Sequence, residues 1–475
     1  MLGKTRRVHF VGIGGIGMSG IAELLANLKY DVSGSDLKPS EVTKRLHASF
    51  GVSVYEGHAA GNVANVDVVV VSSAVRADNP EVSEARRRGI PVVRRAEMLA
   101  ELMRMRFSIA VAGAHGKTTT SSMIAFVLER GGLDPDAVIG GRLRAFGSSA
   151  RLGRGEYMVA EADESDRSFL MLWPSIAVVT NIDYEHMENY ENFEELQQAF
   201  ADFANRVPFY GDVIACADDP HLAPVLPRIT KRLITYGLDM AGPPAGSRPA
   251  AHVFGTDVEL GAFGGRCVVH RKRGDVLERL GVLELSVPGR HNLQNALAAA
   301  AVGDRVGLDF GPVAGALREF EGAERRFERH GEVNGVMVVD DYAHHPTEIS
   351  AALSAARATL GRRLIVAFQP HRYTRTKQLL EDFGPALREA DQIVLTDIYP
   401  AGEDPIAGVT IDGLADAVRR GSGRPVRVIP RVEDVVPELL KIVRPGDAVI
   451  TLGAGSIGGI PKRLLEALKR QGANA

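Results

Sequence analysis

The sequence predicts an α/β protein of three doubly wound domains, and three observations carry that prediction. At roughly 100–200 residues per domain, a chain of 475 residues holds about three domains. Short, apolar, β-branched runs, such as a parallel sheet buries on both faces, alternate along it with helical patterns. Glycine is in excess, 51 of 475 residues or about 11%, against an average near 7%. Because glycine costs backbone entropy, such an excess belongs where the backbone turns sharply or approaches a ligand. Hydrophobic residues at 45% and charged residues at 24% are ordinary and exclude a disordered or collagen-like chain. A net charge of −3 excludes a strongly basic nucleic-acid coat, so any anionic ligand needs a local site.

The elements follow in three blocks. The first opens with a strand over Arg6–Val11, a glycine turn and a helix through Leu28, and has a second apolar strand over Val66–Val71. The basic segment Ala85–Arg95 reads as a solvated face on a helix–turn–strand stretch. The second block restarts near Phe107 with a strand over Ser108–Ala112 and a helix over Lys117–Arg130. Strands over Tyr157–Ala160 and Ile176–Thr180 come next, then a Gly/Pro/Ala-rich surface loop over Met240–Ala251. A helix over Asn292–Val302 and the charged stretch Glu319–Arg329 close the block. The third alternates helical patterns with strands Val336–Val339, Leu364–Phe368, Gln392–Thr396 and Ala448–Leu452. Cys216 and Cys267 match neither a disulfide framework nor a metal spacing, which points to a reducing, cytoplasmic setting. The glycine-punctuated N-terminus does not read as a signal peptide, and no uncharged apolar stretch is long enough to span a membrane.

Each block carries chemistry at a strand end. Gly12, Gly14, Gly15 and Gly17 lie between a strand and a helix, where amides can approach a diphosphate; Asp36 ends the next strand, placed to accept from a ribose hydroxyl. That turn suits any nucleotide diphosphate, whether NAD or a nucleotide sugar. In the loop Gly113-Ala114-His115-Gly116-Lys117-Thr118-Thr119, amides can cradle phosphates, Lys117 can reach the β/γ oxygens, and a threonine can ligate Mg²⁺. It is an incomplete Walker A motif, with Val111 in the place of the first glycine. Glu161-Ala-Asp163-Glu164-Ser-Asp166 offers carboxylates beside it for Mg²⁺, and His186 falls at the same sheet edge. Asn292 reads equally as a helix N-cap. In the third block Asp341, His344 and His345 end one strand, and His371, Arg372 and Arg375 end the next; paired arginines there suit carboxylate or phosphate recognition. A zinc reading of His344, His345 and His371 is weak because no cysteine accompanies them. The turn Gly453-Ala-Gly455-Ser-Ile-Gly458-Gly459 has no ligand assigned.

The string His9 to Gly20, the Gly-Ala-His-Gly-Lys-Thr-Thr loop, Glu-Ala-Asp-Glu-Ser-Asp, Gly289-Arg-His-Asn-Leu-Gln-Asn295, Arg325-Arg326-Phe-Glu and Asp340-Asp-Tyr-Ala-His-His-Pro-Thr-Glu348 occur in one order. Together they resemble the Mur ligases, the amino-acid-adding enzymes of peptidoglycan synthesis, over essentially the whole chain. The resemblance implies an N-terminal Rossmann-like UDP-sugar domain over 1–104 and a central P-loop ATPase-like domain over 105–322. A C-terminal Rossmann-like, amino-acid-presenting domain would follow over 323–475. Within the family it points to the first ligation, of UDP-N-acetylmuramate to L-alanine through an acyl phosphate, with ATP and Mg²⁺. By the same resemblance Thr118 and Glu161 hold one Mg²⁺ and His186 a second. Gly113 to Thr119 bind ATP, with Asn292, Asn295, Arg326 and Asp341 as further nucleotide contacts. Gly12, Gly14, Gly15, Gly17, Ser35 and Asp36 bind the UDP-sugar. His344, His371, Arg372 and Arg375 handle the acyl phosphate and the alanine carboxylate, and Lys117, His186, His344, Arg372 and Arg375 form the catalytic set.

Two departures, Ala114 where threonine is usual and Glu185 where aspartate is common, imply retuning rather than loss. The next lysine after His186 is the distant Lys231, so no carbamylated lysine is expected. A tripeptide-recycling ligase is the near alternative. A nicotinamide-dependent oxidoreductase would leave the second phosphate loop idle. No nucleic-acid partner is implied, and the sequence is compatible with a monomer and with a homodimer.

Overall fold

The computed structural model describes residues 3–72, 75–143, 148–185, 187–239, 251–261, 264–322 and 324–473. The chain divides into two compact units, Met1–Val258, Arg266–Leu285 and Asn292–Glu321 in the first and Glu259–Gly265, Ser286–His291 and Gly322–Ala475 in the second. The Met240–Ala251 loop lies, but for Ala251, outside the described residues. No helix among those described is long and apolar enough to cross a membrane.

The first unit holds two sheets. In the smaller, parallel strands run Ser53–Glu56, Asp31–Asp36, Arg7–Val11, Val68–Val71 and Val92–Arg94 in spatial order. The order reverses beside Arg7–Val11, the switch point at which open α/β sheets bind ligands. The glycine turn that follows that strand therefore sits where the topology calls for a site. Helix Pro80–Arg87, started by Asn79 as N-cap with proline at its first position, packs on the short helical turn Ala60–Val63 and on strand Val92–Arg94.

The larger sheet has ten strands, with Phe107–Ala112 between Ile176–Val179 and Tyr157–Glu161, all parallel. Three consecutive C-terminal strand ends thus deliver the phosphate loop, Glu161 and the Thr180–Glu185 segment to one edge. Helix Lys117–Arg130 has the bounds the sequence predicts. Helix Ile16–Asn27 packs on strands Asp136–Leu143 and Ser148–Arg151. That contact brings the glycine turn of one sheet to the phosphate edge of the other.

The second unit contains a six-stranded sheet in the order Glu328–Val333, Val336–Asp341, Asp447–Leu452, Arg363–Phe368, Gln392–Leu395 and Val426–Val428, with only the first antiparallel to its neighbour. Period-two alternation separates its two cores. Met337, Val339, Leu364, Val366 and Phe368 pack with Leu353, Phe383 and Leu414 on one face. Val336, Val338, Ile365 and Ala367 pack with Leu439, Ile460 and Leu464 on the other. Glu328 and Arg329 belong to this sheet, so the charged stretch does not close the second block; hydrogen bonding to Val336–Asp341 claims its end.

Candidate active site

The glycine turn is built from beneath. Gly12 and Ile13 amides donate to the Ser35 carbonyl at 2.8 and 3.0 Å. The Gly14 amide donates to Asp36 Oδ2 at 2.8 Å, and a Cβ at Gly14 would lie 2.7 Å from that oxygen. Asp36 therefore braces the turn with one oxygen. Ser35 has no exposed surface, and its hydroxyl donates to Glu81 Oε2 at 2.6 Å. Glu81, itself fully buried, also takes the amide of Asn62 at 2.6 Å and lies 3.1 Å from His58 Nδ1 and 3.5 Å from His9 Nε2. Burial alone would raise this carboxyl, but the nearby His9 ring and the bonds from Ser35 and Asn62 bring it down to about 2. Nothing in the sequence singled out Glu81, whose hydrogen-bond partners Asn62 and Ser35 lie 19 and 46 residues away.

The phosphate loop is stapled by the segment after the next strand. Asn181 accepts from the His115 amide at 2.8 Å and donates to the His115 carbonyl at 3.0 Å, and Thr180 Oγ1 donates to that carbonyl at 2.7 Å. Two glycines are obligatory here. Gly113 has φ +142° and a Cβ there would fall 2.0 Å from Thr180 Oγ1; Gly116 has φ +79° and a Cβ there would fall 2.9 Å from Asn295 Oδ1. Asn295, placed by sequence on the nucleotide, thus abuts the phosphate loop, and its amide donates to Asn292 Oδ1 at 3.3 Å. Asn292 is not an N-cap, because the helix already begins at Arg290.

Lys117 donates to the carbonyls of Gly113 and Ala114 at 2.5 and 3.2 Å and to Glu164 Oε1 at 2.8 Å. Burial would lower its pKa, but Glu164 and Asp163 reverse this and hold it above the ordinary lysine value. His115 Nε2 lies 2.8 Å from Asp183 Oδ2, with Glu185 3.8 Å from its other nitrogen. Thr118 is half-buried on the first helical turn and Thr119 is buried. His186 lies outside the described residues.

One cavity of about 360 Å³ joins the two constructions, lined by Gly12, Gly15, Gly17 and Met18 from the turn and by Lys117, Gly140, Glu161 and Asp163 from the phosphate edge. Glu161 Oε1 accepts from the Gly140 amide at 2.8 Å, and a Cβ on Gly140 would lie 2.6 Å from Oε2. That cradle, with Ser121 Oγ 3.5 Å from Glu161 Oε1, offers the oxygen donors that fit a hard divalent cation such as Mg²⁺. Arg95 also lines this cavity. The solvated-face reading thus holds for exposed Arg86, Arg87 and Arg88 but not for Arg95, which ends the segment at the site.

In the second unit, the Asp341 carboxylate accepts from the Phe327 and Ala343 amides, each at 2.7 Å. Burial raises it to about 6, with Arg326 opposing. Arg326 lies over the Tyr342 ring and 3.4 Å from Glu348. Tyr342, His344, His371 and Tyr399 form a file of rings with successive centroids 5.5, 5.3 and 5.5 Å apart. His344 Nδ1 donates to the Tyr342 carbonyl at 2.9 Å, which leaves Nε2 as the acceptor. Burial pushes His344 down to about 3 and His371 down to about 4, so both are neutral. Arg375 donates to His371 Nδ1 at 3.4 Å. Arg372 sits at φ +72°, a strained geometry of the kind that clusters at functional sites. Among the described residues His344, His345 and His371 do not gather as metal ligands, so the zinc reading has no support.

The Gly453–Gly459 turn is filled by its own chain. Added Cβ atoms at Gly453, Gly455 and Gly458 would meet the Gln369 carbonyl at 2.6 Å, Gln369 Oε1 at 2.5 Å and Arg325 Cζ at 2.6 Å. Its glycines make room for side chains.

A nucleotide turn and a phosphate loop facing one carboxylate-lined cavity define a nucleotide-using α/β enzyme. The comparisons specify which. Residues 7–107 match the model for the Mur ligase family catalytic domain, 111–303 the Mur ligase middle domain and 325–455 the Mur ligase glutamate ligase domain. The chain is 54% identical over 470 residues to the UDP-N-acetylmuramate–L-alanine ligase of Geobacter sp. strain M21, covering 99% of each. The crystal structure of UDP-N-acetylmuramate–alanine ligase from Thermotoga maritima superposes with a TM-score of 0.80 at 29% identity, over 98% of this chain and 99% of that one. A murein peptide ligase from Psychrobacter arcticus gives 0.70 at 26% identity, over 97% and 98%. The chain belongs to the Mur ligase family.

Proposed function

We propose that the chain joins UDP-N-acetylmuramate to L-alanine at the expense of ATP, as a cytoplasmic step of peptidoglycan precursor synthesis. The observation that supports this reading is the shared cavity: with a nucleotide sugar on the glycine turn and ATP on the phosphate loop, one space would bring a carboxylate within reach of a γ-phosphate. The 54% relative supports alanine as the amino acid in preference to a tripeptide. In the reaction a lactyl carboxylate oxygen attacks the γ-phosphorus, the bond to ADP breaks, and an acyl phosphate forms. The alanine nitrogen then attacks the acyl carbon, and the C–O bond breaks to release phosphate.

The domain assignments 1–104, 105–322 and 323–475 follow this division of labour. Gly12, Gly14, Gly15 and Gly17, braced by Ser35 and Asp36, offer amides to the diphosphate. Gly113 to Thr119 wrap the ATP phosphates with Lys117 as their cation, beside Asn292 and Asn295; Arg326 and Asp341 complete the nucleotide contacts. Thr118 and Glu161 would hold one Mg²⁺ and His186 a second; bound there, Mg²⁺ would neutralise charge on the phosphates. In the second unit Arg372 and Arg375 take the alanine carboxylate, with His371 beside them. His344, held as one neutral tautomer, offers Nε2 to the proton that the amine loses.

The test is phosphate release from ATP, measured with and without UDP-N-acetylmuramate and L-alanine. Release should require the nucleotide sugar and Mg²⁺ and rise with alanine; release independent of both substrates would sink the reading. Lys117→Ala should lower kcat by about 10³-fold, since fixed charge on a developing phosphoryl anion is usually worth that much.

A further inference from the structure

The reaction brings a carboxylate into a cavity that already presents two, those of Glu161 and Asp163. Among the described lining residues the cations are Lys117 and Arg95. Lys117 is ringed by two loop carbonyls and Glu164, and on the reading above its charge belongs to the triphosphate.

Arg95 is differently placed. It opens helix Arg95–Met103 directly after strand Val92–Arg94, at the same sheet edge as the glycine turn. Its stem fills the space that Gly17 leaves: a Cβ on Gly17 would lie 3.2 Å from Arg95 Cδ and 3.1 Å from its NH1. Its far end points across the cavity, with NH2 3.5 Å from Asp163 Oδ2. That separation exceeds the 2.7–2.9 Å of a well-made charge-assisted bond. The two side chains keep 22% and 41% of their surface exposed. A long, solvated ion pair contributes little, so exchanging Asp163 for a better anion costs little.

We propose that Arg95 binds the lactyl carboxylate of the nucleotide sugar and aims it at the phosphate loop. This rests on the ligase reading. The diphosphate is served by turn amides and the start of helix Ile16–Asn27. The guanidinium lies beyond them, between the turn and the residues around Lys117, where the attacking carboxylate has to be. Its fork matches two carboxylate oxygens, an arrangement a lysine does not reproduce. Glycine at 17 lets the arginine stem lie flat on the turn, so one residue spans both halves of the cavity.

The experiment is calorimetric binding of UDP-N-acetylmuramate and of UDP-N-acetylglucosamine, which lacks the lactyl carboxylate, to the full chain and to its Arg95→Ala and Arg95→Lys variants. Thermal melts confirm that each variant is folded. Arg95→Ala should weaken UDP-N-acetylmuramate by about 10- to 100-fold, the usual worth of charged hydrogen bonds, and leave UDP-N-acetylglucosamine within about twofold. Arg95→Lys should recover part of the loss. Equal weakening of both sugars would make Arg95 a diphosphate contact and overturn the proposal, as would no change in either. Wild-type protein that binds neither sugar would overturn the ligase reading and the proposal with it.

Discussion

Two glycine-rich turns at strand ends look alike in sequence and differ in what fills them. At Gly12–Gly17 the four glycines divide: an added Cβ would meet nothing within 4 Å at Gly12 and only ordinary contacts, 3.6 Å and beyond, at Gly15, but Asp36 at 2.7 Å at Gly14 and Arg95 at 3.1 Å at Gly17. At Gly453–Gly458 it would strike Gln369 or Arg325 at 2.5 to 2.6 Å. The first turn keeps its backbone bare toward a cavity at Gly12 and Gly15. The second uses the same residue type so that its own chain can close in. Glycine signals close approach, and only the surroundings tell whether a ligand or a neighbour approaches.

The largest effect expected from this contrast is at Gly453. Its φ of +135° and a contact with backbone leave no relaxed place for a methyl group. Gly453→Ala should cost about 2–3 kcal/mol, seen as a lower Tm, with UDP-sugar affinity unchanged. A variant as stable as the parent would show that the turn is looser than its contacts imply. Gly15→Ala sharpens the other side. With φ −64° the residue accepts a side chain without strain, so Tm should hold while KM for the UDP-sugar rises about tenfold, the effect of one lost close approach. Lost stability with intact KM would reverse the assignment of the two turns.

The smallest effect is on pH. His344 and His371 are held neutral down to about 3 and about 4, whereas in the unfolded chain each takes a proton near pH 6.5. Between those values the unfolded state binds more protons, so stability falls as pH falls. Asp341, raised to about 6, acts oppositely: it keeps its proton when folded between about 4 and 6 and adds stability on acidification. Two histidines outweigh one carboxyl, so the urea midpoint should drop modestly from pH 7 to 5, and His371→Gln should flatten the drop. A midpoint that rises over this range would contradict the neutral histidines.

What the sequence made legible was local. Helix Lys117–Arg130 follows from a glycine loop and an apolar pattern, and the strands that position the loop, Glu161 and Asp341 follow from β-branched runs. What escaped depends on contacts between distant residues. Arg95 was hidden in a basic run whose other members are solvated, and only Gly17 and Asp163 reveal its direction. Glu164 and Asn181 act on the phosphate loop from 47 and 66 residues away. The glycine spacing at 453–459 could not disclose that Gln369 and Arg325 occupy the room it makes.

The Glu81 cluster carries one more consequence. Gly12 and Ile13 hang from the Ser35 carbonyl, and the Ser35 hydroxyl hangs from Glu81, which sits 46 residues further along on helix Pro80–Arg87. That carboxylate is a keystone for a turn it never touches. The mutational tolerance of the nucleotide-sugar site therefore extends to an interior acid on a neighbouring helix. There a neutral replacement would slacken the arch while every ligand-facing glycine stayed in place.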